Sequence, residues 1–216
     1  MMRLWRLSLI LASLAVAVPS GAQEEGFRPL FDGESLDGWV LIAKRGEGYA
    51  VRDGAISCSR GNGGNLMSAA EYQDFVLRFE FKLDSGSNNG LCIRCPLGWG
   101  DMAYIGNELQ IIDNSAERYK AIKPWQKHGS LYNVAPAKTG ALKPVGEWNT
   151  QEVTASGPRI RVVLNGTEIL SVDTRDITDA ETLAKHPGLK RKSGHIGFLG
   201  HNEPIEFRNI RIKELP

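Results

Sequence analysis

The chain has 216 residues, with 26 Lys and Arg against 25 Asp and Glu and a formal net charge of +1. Charges of both signs are interspersed and no basic stripe carries interleaved aromatics, which excludes the electrostatic footprint of a nucleic-acid-binding domain. The length suits one domain that buries a core without disulfide or metal staples.

The N-terminus reads as an export signal. Arg3 and Arg6 precede an almost wholly apolar run from Leu7 to Val18, and small residues at Ser20 and Ala22 place a cleavage site before Gln23. The run is shorter than the roughly 20 residues of a membrane-spanning helix. The sequence therefore predicts a signal peptide over 1–22, a short lead-in over 23–26 and a single domain over 27–216. It also predicts a periplasmic or extracellular location, with no membrane association after cleavage.

Beyond that point a period of two dominates. Trp39 to Ala43, Tyr49 to Val51 and Ala55 to Ser59 read as early strands. Phe75 to Leu83 is the clearest: Phe75, Leu77, Phe79, Phe81 and Leu83 share one face, and Val76, Arg78, Glu80 and Lys82 the other. Gly90 to Cys95, Glu108 to Ile112 and Ser130 to Val134 follow. Trp148 to Ala155 and Arg159 to Leu164 lead to Asn165-Gly166, a strong hairpin signal, and on to Thr167 to Val172. Asn165-Gly166-Thr167 also matches a glycosylation sequon, but the turn explains it. Asp176 to Lys185 holds one or two helical turns, and His195 to Leu199 and Ile205 to Lys213 close the chain. Many short strands with Gly-rich turns imply an all-β sandwich or barrel. The loops at 84–89, 96–107 and 115–128 are long enough to carry function.

Cys58, Cys92 and Cys95 are an odd set, so at least one thiol is free or bonded to another chain. Cys92-Ile93-Arg94-Cys95 lies in a strand pattern without a second pair, and reads as small strand residues rather than a redox or zinc motif. The pairing among the three stays open, a bridge from Cys58 to either of the others included.

Candidate chemistry gathers on three segments. In Glu108-Leu109-Gln110-Ile111-Ile112-Asp113, Glu108 and Gln110 point one way and Leu109 and Ile111 into the core; Asp113 joins the first pair only if a bulge shifts the register. The spacing resembles the acidic strand of family 16 glycoside hydrolases, but Gln110 and the short Asp113 disfavour the paired-carboxylate mechanism of a retaining glycosidase. On Asn88 to Arg94, Gly90, Cys92 and Arg94 share a face, where Arg94 offers a fork of donors to sugar or carbonyl oxygens. His201 ends the His195 strand, and Arg208 alternates onto the apolar side with Ile210 and Ile212, so that it needs either a bulge or a buried partner. Trp99, Tyr104, Trp125, Tyr132 and Trp148 provide apolar faces on which sugar rings stack.

Leu30-Phe31-Asp32-Gly33-Glu34-Ser35-Leu36-Asp37-Gly38-Trp39 resembles the opening signature of the 3-keto-disaccharide hydrolase family. Asp74 to Phe81, Glu108 to Asp113, Gly146 to Asn149, Leu164 to Gly166, Gly194 to His201 and Glu206 to Ile212 follow in the family's order. The resemblance implies a concanavalin A-like jelly-roll β-sandwich of two antiparallel sheets with its site on a concave face. It further implies cleavage of glycosides whose sugar is oxidised at C3. It places Glu108, Gln110, Arg94 and His201 at that site. The chain departs from the family at Leu199, Asn202 and Cys92. On this reading Glu108 or His201 abstracts the C2 proton and Arg94 stabilises the enolate. Gln110, Asp113, Tyr132, Trp125 and Arg208 contact a small carbohydrate substrate. No cofactor is certain; a bound divalent cation is the alternative Lewis acid for the enolate, with Glu108 and His201 as ligand types, although no spacing decides it. The competing reading is a non-catalytic carbohydrate-binding sandwich.

Overall fold

A computed structural model describes residues 25–98 and 100–216; the expected signal peptide and Trp99 lie outside the described residues. Thirteen strands and two short helices are defined among the described residues. The strands are β1 (Arg28–Pro29), β2 (Trp39–Arg45), β3 (Tyr49–Arg52), β4 (Ala55–Cys58), β5 (Gly63–Tyr72), β6 (Phe75–Leu83), β7 (Asn88–Cys95), β8 (Asn107–Ile112), β9 (Trp148–Ser156), β10 (Arg159–Leu164), β11 (Thr167–Asp173), β12 (Gly194–His201) and β13 (Ile205–Glu214). The helices are α1 (Met102–Ile105) and α2 (Ala180–Lys185).

Two antiparallel sheets face each other, as the jelly-roll expectation requires. One follows the order β11-β10-β9-β6-β13-β4-β3, with β1 added on β13; the other has five strands in the order β2-β5-β12-β7-β8. The alternation in β6 holds along its length: Phe75, Leu77, Phe79, Phe81 and Leu83 are buried, while Arg78, Glu80 and Lys82 lie on the opposite face. There they form cross-strand ion pairs with Glu152, Arg208 and Glu206. Phe198 of β12 stacks on Phe207 of β13 with ring centroids 3.8 Å apart, joining the two sheets across the core. The predicted hairpin at Asn165-Gly166 forms with φ of 49° and 82°, the left-handed pair a tight turn needs.

One strand goes unpredicted and two expectations are corrected. β5 is not visible as an alternating pattern because it is buried on both faces: Leu66 enters the main core and Met67 a second cluster on the other side. Ser130 to Val134 is not a strand but makes isolated bridges through Leu131, because Asn133 takes a left-handed φ of 56° and ends the extended run. Cys92 and Cys95 are not merely small strand residues but form a disulfide, leaving Cys58 as a buried free thiol. Among the described residues no helix is long and apolar enough to cross a membrane.

Candidate active site

Because Leu109 and Ile111 of β8 point between the sheets, Glu108 and Gln110 must point to the outer face of the five-stranded sheet. A cleft of about 470 Å³ runs across that face. Every strand contributes to its floor: Arg45 from β2, Asn65 from β5, Asn88 from β7, Glu108 and Gln110 from β8, and Leu199 and His201 from β12. Residues 100–104 form one wall, and Tyr119, Ile122, Gln126 and Tyr132 the other.

Glu108 is 4% exposed, and among the described residues no hydrogen bond or ion pair holds its carboxylate. Burial, with the charge of Asp101 added, pushes its pKa up to about 8. Space for the carboxylate comes from Gly90 on the neighbouring strand, where a β-carbon would lie 1.9 Å from Glu108 Oε1. Beside it Gln110, also in the cleft lining, donates from Nε2 to Asn88 Oδ1 at 2.7 Å. His201 keeps an exposed edge at the rim. The surrounding protein, its largest influence, lowers its pKa; Glu203 and Asp101 pull upward and Arg45 downward. Asp101 caps α1 by accepting from Ala103 N at 3.2 Å, and its charge reaches both Glu108 and His201. Tyr132 accepts a hydrogen bond from Gln126 Nε2 at 3.2 Å and meets Tyr104 edge-on at 6.5 Å.

Glu108, Gln110, His201 and Tyr132 therefore come together as expected, and four other candidates do not. Arg94 takes a left-handed φ of 52°, which breaks the alternation and turns its side chain away from the cleft. It ends at 5% side-chain exposure against Asp74 (2.8 Å), the Gln73 carbonyl (2.8 Å) and the Gly157 carbonyl (2.7 Å). Arg208 belongs to the other sheet. The register shift after it, with Asn209 at φ 52°, rotates it out of the core to pair with Glu80 at 2.8 Å and lie 3.9 Å over the Trp148 ring. Asp113 falls at the odd offset because β8 contains no bulge. Burial raises its pKa, but hydrogen bonds from Ser115 and the Gly86 N–H outweigh that and hold it low, so that it braces two loops. Trp125 is 40% exposed, and its neighbour Gln126 takes the place in the cleft wall.

Sequence reasoning missed Arg45 and Asp101. Arg45 reaches the cleft because β2 bulges between Ile42 and Arg45, with Ala43 at φ 51°; the glycines at 46 and 48 signal only a turn. Asp101 is an acidic residue at the start of a single helical turn, a cap pattern too short to stand out. Among the described residues no three His, Cys, Asp or Glu side chains converge as a metal site requires.

Comparison with known proteins bears on the family and the fold. A curated relative, the "3-keto-disaccharide hydrolase" of Bacteroides thetaiotaomicron, is 26% identical, covering 88% of this chain and 79% of its own. A solved structure from Parabacteroides distasonis, provisionally assigned as a glycosyl hydrolase, is 27% identical with a TM-score of 0.74, covering 88% of this chain and 99% of the other. A Bacillus subtilis protein with a galectin-like fold is 11% identical with a TM-score of 0.63, covering 87% and 94%, and bears on the fold alone. The model of the 3-keto-alpha-glucoside-1,2-lyase-like domain matches residues 26–213, nearly the whole of the described chain, and the protein belongs to that family.

Proposed function

We propose that this protein cleaves glycosides of 3-keto sugars by removing the proton at C2 and expelling the group at C1. The observation that carries the reading is Glu108: a buried carboxylate without a partner among the described residues, lining a cleft, with burial pushing its pKa up to about 8. A binding platform has no use for such a group, whereas a general base does. The C3 ketone acidifies the C2 hydrogen. Ionised Glu108 takes that proton, and the electron pair moves onto the ketone oxygen. Collapse of the enolate then breaks the bond from C1 to the leaving oxygen, which gains a proton from solvent, and addition of water across the resulting double bond gives net hydrolysis. Arg45, in place of the expected Arg94, is the cleft guanidinium that would steady the enolate oxygen. His201 is the second base on the same face, and Gln110 and Asn88 hold sugar hydroxyls.

Export to an oxidising compartment belongs to the same reading. The apolar N-terminal run and the Cys92–Cys95 disulfide support it.

The test is to incubate the purified protein with a 3-keto-glucoside and with the parent glucoside, and to follow aglycone release. Release from the first alone is expected. Binding of either sugar with no release from the first would replace the reading by a non-catalytic carbohydrate-binding module.

A further inference from the structure

The disulfide lies beneath the cleft. Cys92 is the register partner of Glu108 across β7 and β8. Both cysteines are fully buried, in a small apolar cluster with Met67, Met102 and Leu199 that is separate from the main core. Met102 and Leu199 also line the cleft, so the cluster is the layer between the sheet and α1. α1 presents Asp101 at its start and Gly106 at its end, and Gly106 leads through Asn107 into Glu108.

Gly106 rests directly on the sulfurs. A β-carbon there would fall 2.0 Å from Cys95 Sγ and 2.7 Å from Cys92 Sγ. Gly188 presses on it from the other side, since a β-carbon on Gly188 would fall 2.0 Å from the Gly106 carbonyl oxygen. The turn that brings Cys95 back to Cys92 passes through the left-handed Arg94, which three partners hold in place. The disulfide, Gly106 and Gly188 thus form a bracket with no slack, and both cleft carboxylates hang from it.

We propose that the Cys92–Cys95 disulfide is a positioning element for the cleft: through Gly106 it fixes α1, and with it Asp101 on the wall and Glu108 on the floor, so that full turnover requires the bonded pair. The proposal rests on the reading of the cleft as a 3-keto-glycoside site. Breaking the bond consumes two electrons and two protons from a dithiol reductant, which closes to its own disulfide while two S–H bonds form. Two thiols need more separation than two bonded sulfurs, and Gly106 leaves no room for it. Gln110 and Asn88, which hold sugar hydroxyls, lie further along β8 and β7, where strand pairing and their mutual hydrogen bond keep them in place.

The experiment uses the full mature chain with Cys92→Ala/Cys95→Ala and, separately, Gly106→Ala, which keeps both cysteines. Turnover of a 3-keto-glucoside is measured beside amide hydrogen exchange. Misplacement of the base should lower kcat by about tenfold or more in both variants while KM changes by less than about threefold. Exchange should quicken over residues 101–108 and stay unchanged in β6. Wild-type kcat with unchanged exchange at 101–108 in the folded variants would overturn the proposal. If the double variant does not fold, Gly106→Ala decides by the same criteria. If wild type turns over no 3-keto-glycoside, the functional reading fails on its own, and exchange alone decides: faster at 101–108 in the variants retains the positioning role, unchanged ends it.

Discussion

Gly90 lies directly against the Glu108 carboxylate: a β-carbon on Gly90 would meet Glu108 Oε1 at 1.9 Å, Cδ at 2.7 Å and Cγ at 2.8 Å. Its φ is not in the left-handed region, so glycine is required there for space rather than for backbone freedom. The Gly90→Ala variant should therefore fold, because the displaced atoms are a side chain facing an open cleft. Its kcat should fall by about a hundredfold, the scale of a misplaced reacting group. Kinetics that match wild type would show that the position of Glu108 does not matter.

The Glu108→Gln substitution keeps volume and removes the ionisable group. Turnover of a 3-keto-glycoside should drop by about 10²–10⁴, the usual value of a general base. Circular dichroism should be unchanged, because no hydrogen bond or ion pair among the described residues depends on the carboxylate. Retained activity would transfer the role of base to His201, with His201→Ala the variant to measure.

Titration gives a second handle on the same residue. Wild-type kcat/KM should rise with pH along a limb centred near 8, where Glu108 ionises. Stability should run the other way. The folded carboxyl keeps its proton up to about 8 while an unfolded one releases it near 4.5, so the folded state binds more protons in that window and loses stability as pH rises through it. Buried His128 opposes this at lower pH: its pKa, lowered from 6.5 to about 4 chiefly by burial, makes stability rise with pH up to 6.5. Between pH 6.5 and 8, chemical denaturation should show wild type weakening while Glu108→Gln does not. Parallel curves for the two proteins would mean that Glu108 titrates normally.

Arg94 should matter to the fold before it matters to chemistry. Replacing it by Leu leaves the Asp74 carboxylate with only the Gly157 N–H and removes the partner of the Gln73 and Gly157 carbonyls. The expected loss is about 3–5 kcal/mol, as for other buried pairs that lose one partner. Arg94→Lys should recover little, because one ammonium cannot span three acceptors in the arrangement of a guanidinium fork. An unchanged melting temperature in Arg94→Leu would contradict the buried-pair assignment.

Arg45 is exposed and makes no ion pair among the described residues, so Arg45→Ala should leave the melting temperature within the small range of surface substitutions. If it steadies the enolate, kcat should fall by about 10²–10³, the scale of losing one oxyanion donor. A change in KM alone would make it a ground-state contact.

The alternation of Phe75 to Leu83, the Asn165-Gly166 turn and the shared face of Glu108 and Gln110 were legible in the sequence because a strand's side-chain direction depends only on parity. Parity misleads wherever one residue leaves the extended region. Left-handed backbone at Ala43, Arg94 and Asn209 carried Arg45 into the cleft, Arg94 out of it and Arg208, on the far sheet, out of the core. Only at Arg208, an arginine among apolar alternates, does the local pattern signal a bulge; at Ala43 and Arg94 none does. β5 escaped notice because burial on both faces erases alternation. The closure of Cys92 on Cys95 depended on how the chain turns at Arg94, and the clearance that Gly90 gives Glu108 on the register of β7 with β8. Sequence by itself determined which residues could do chemistry on a β scaffold. Tertiary structure decided which of them share a cleft, because register, bulges and sheet order are set by partners distant along the chain.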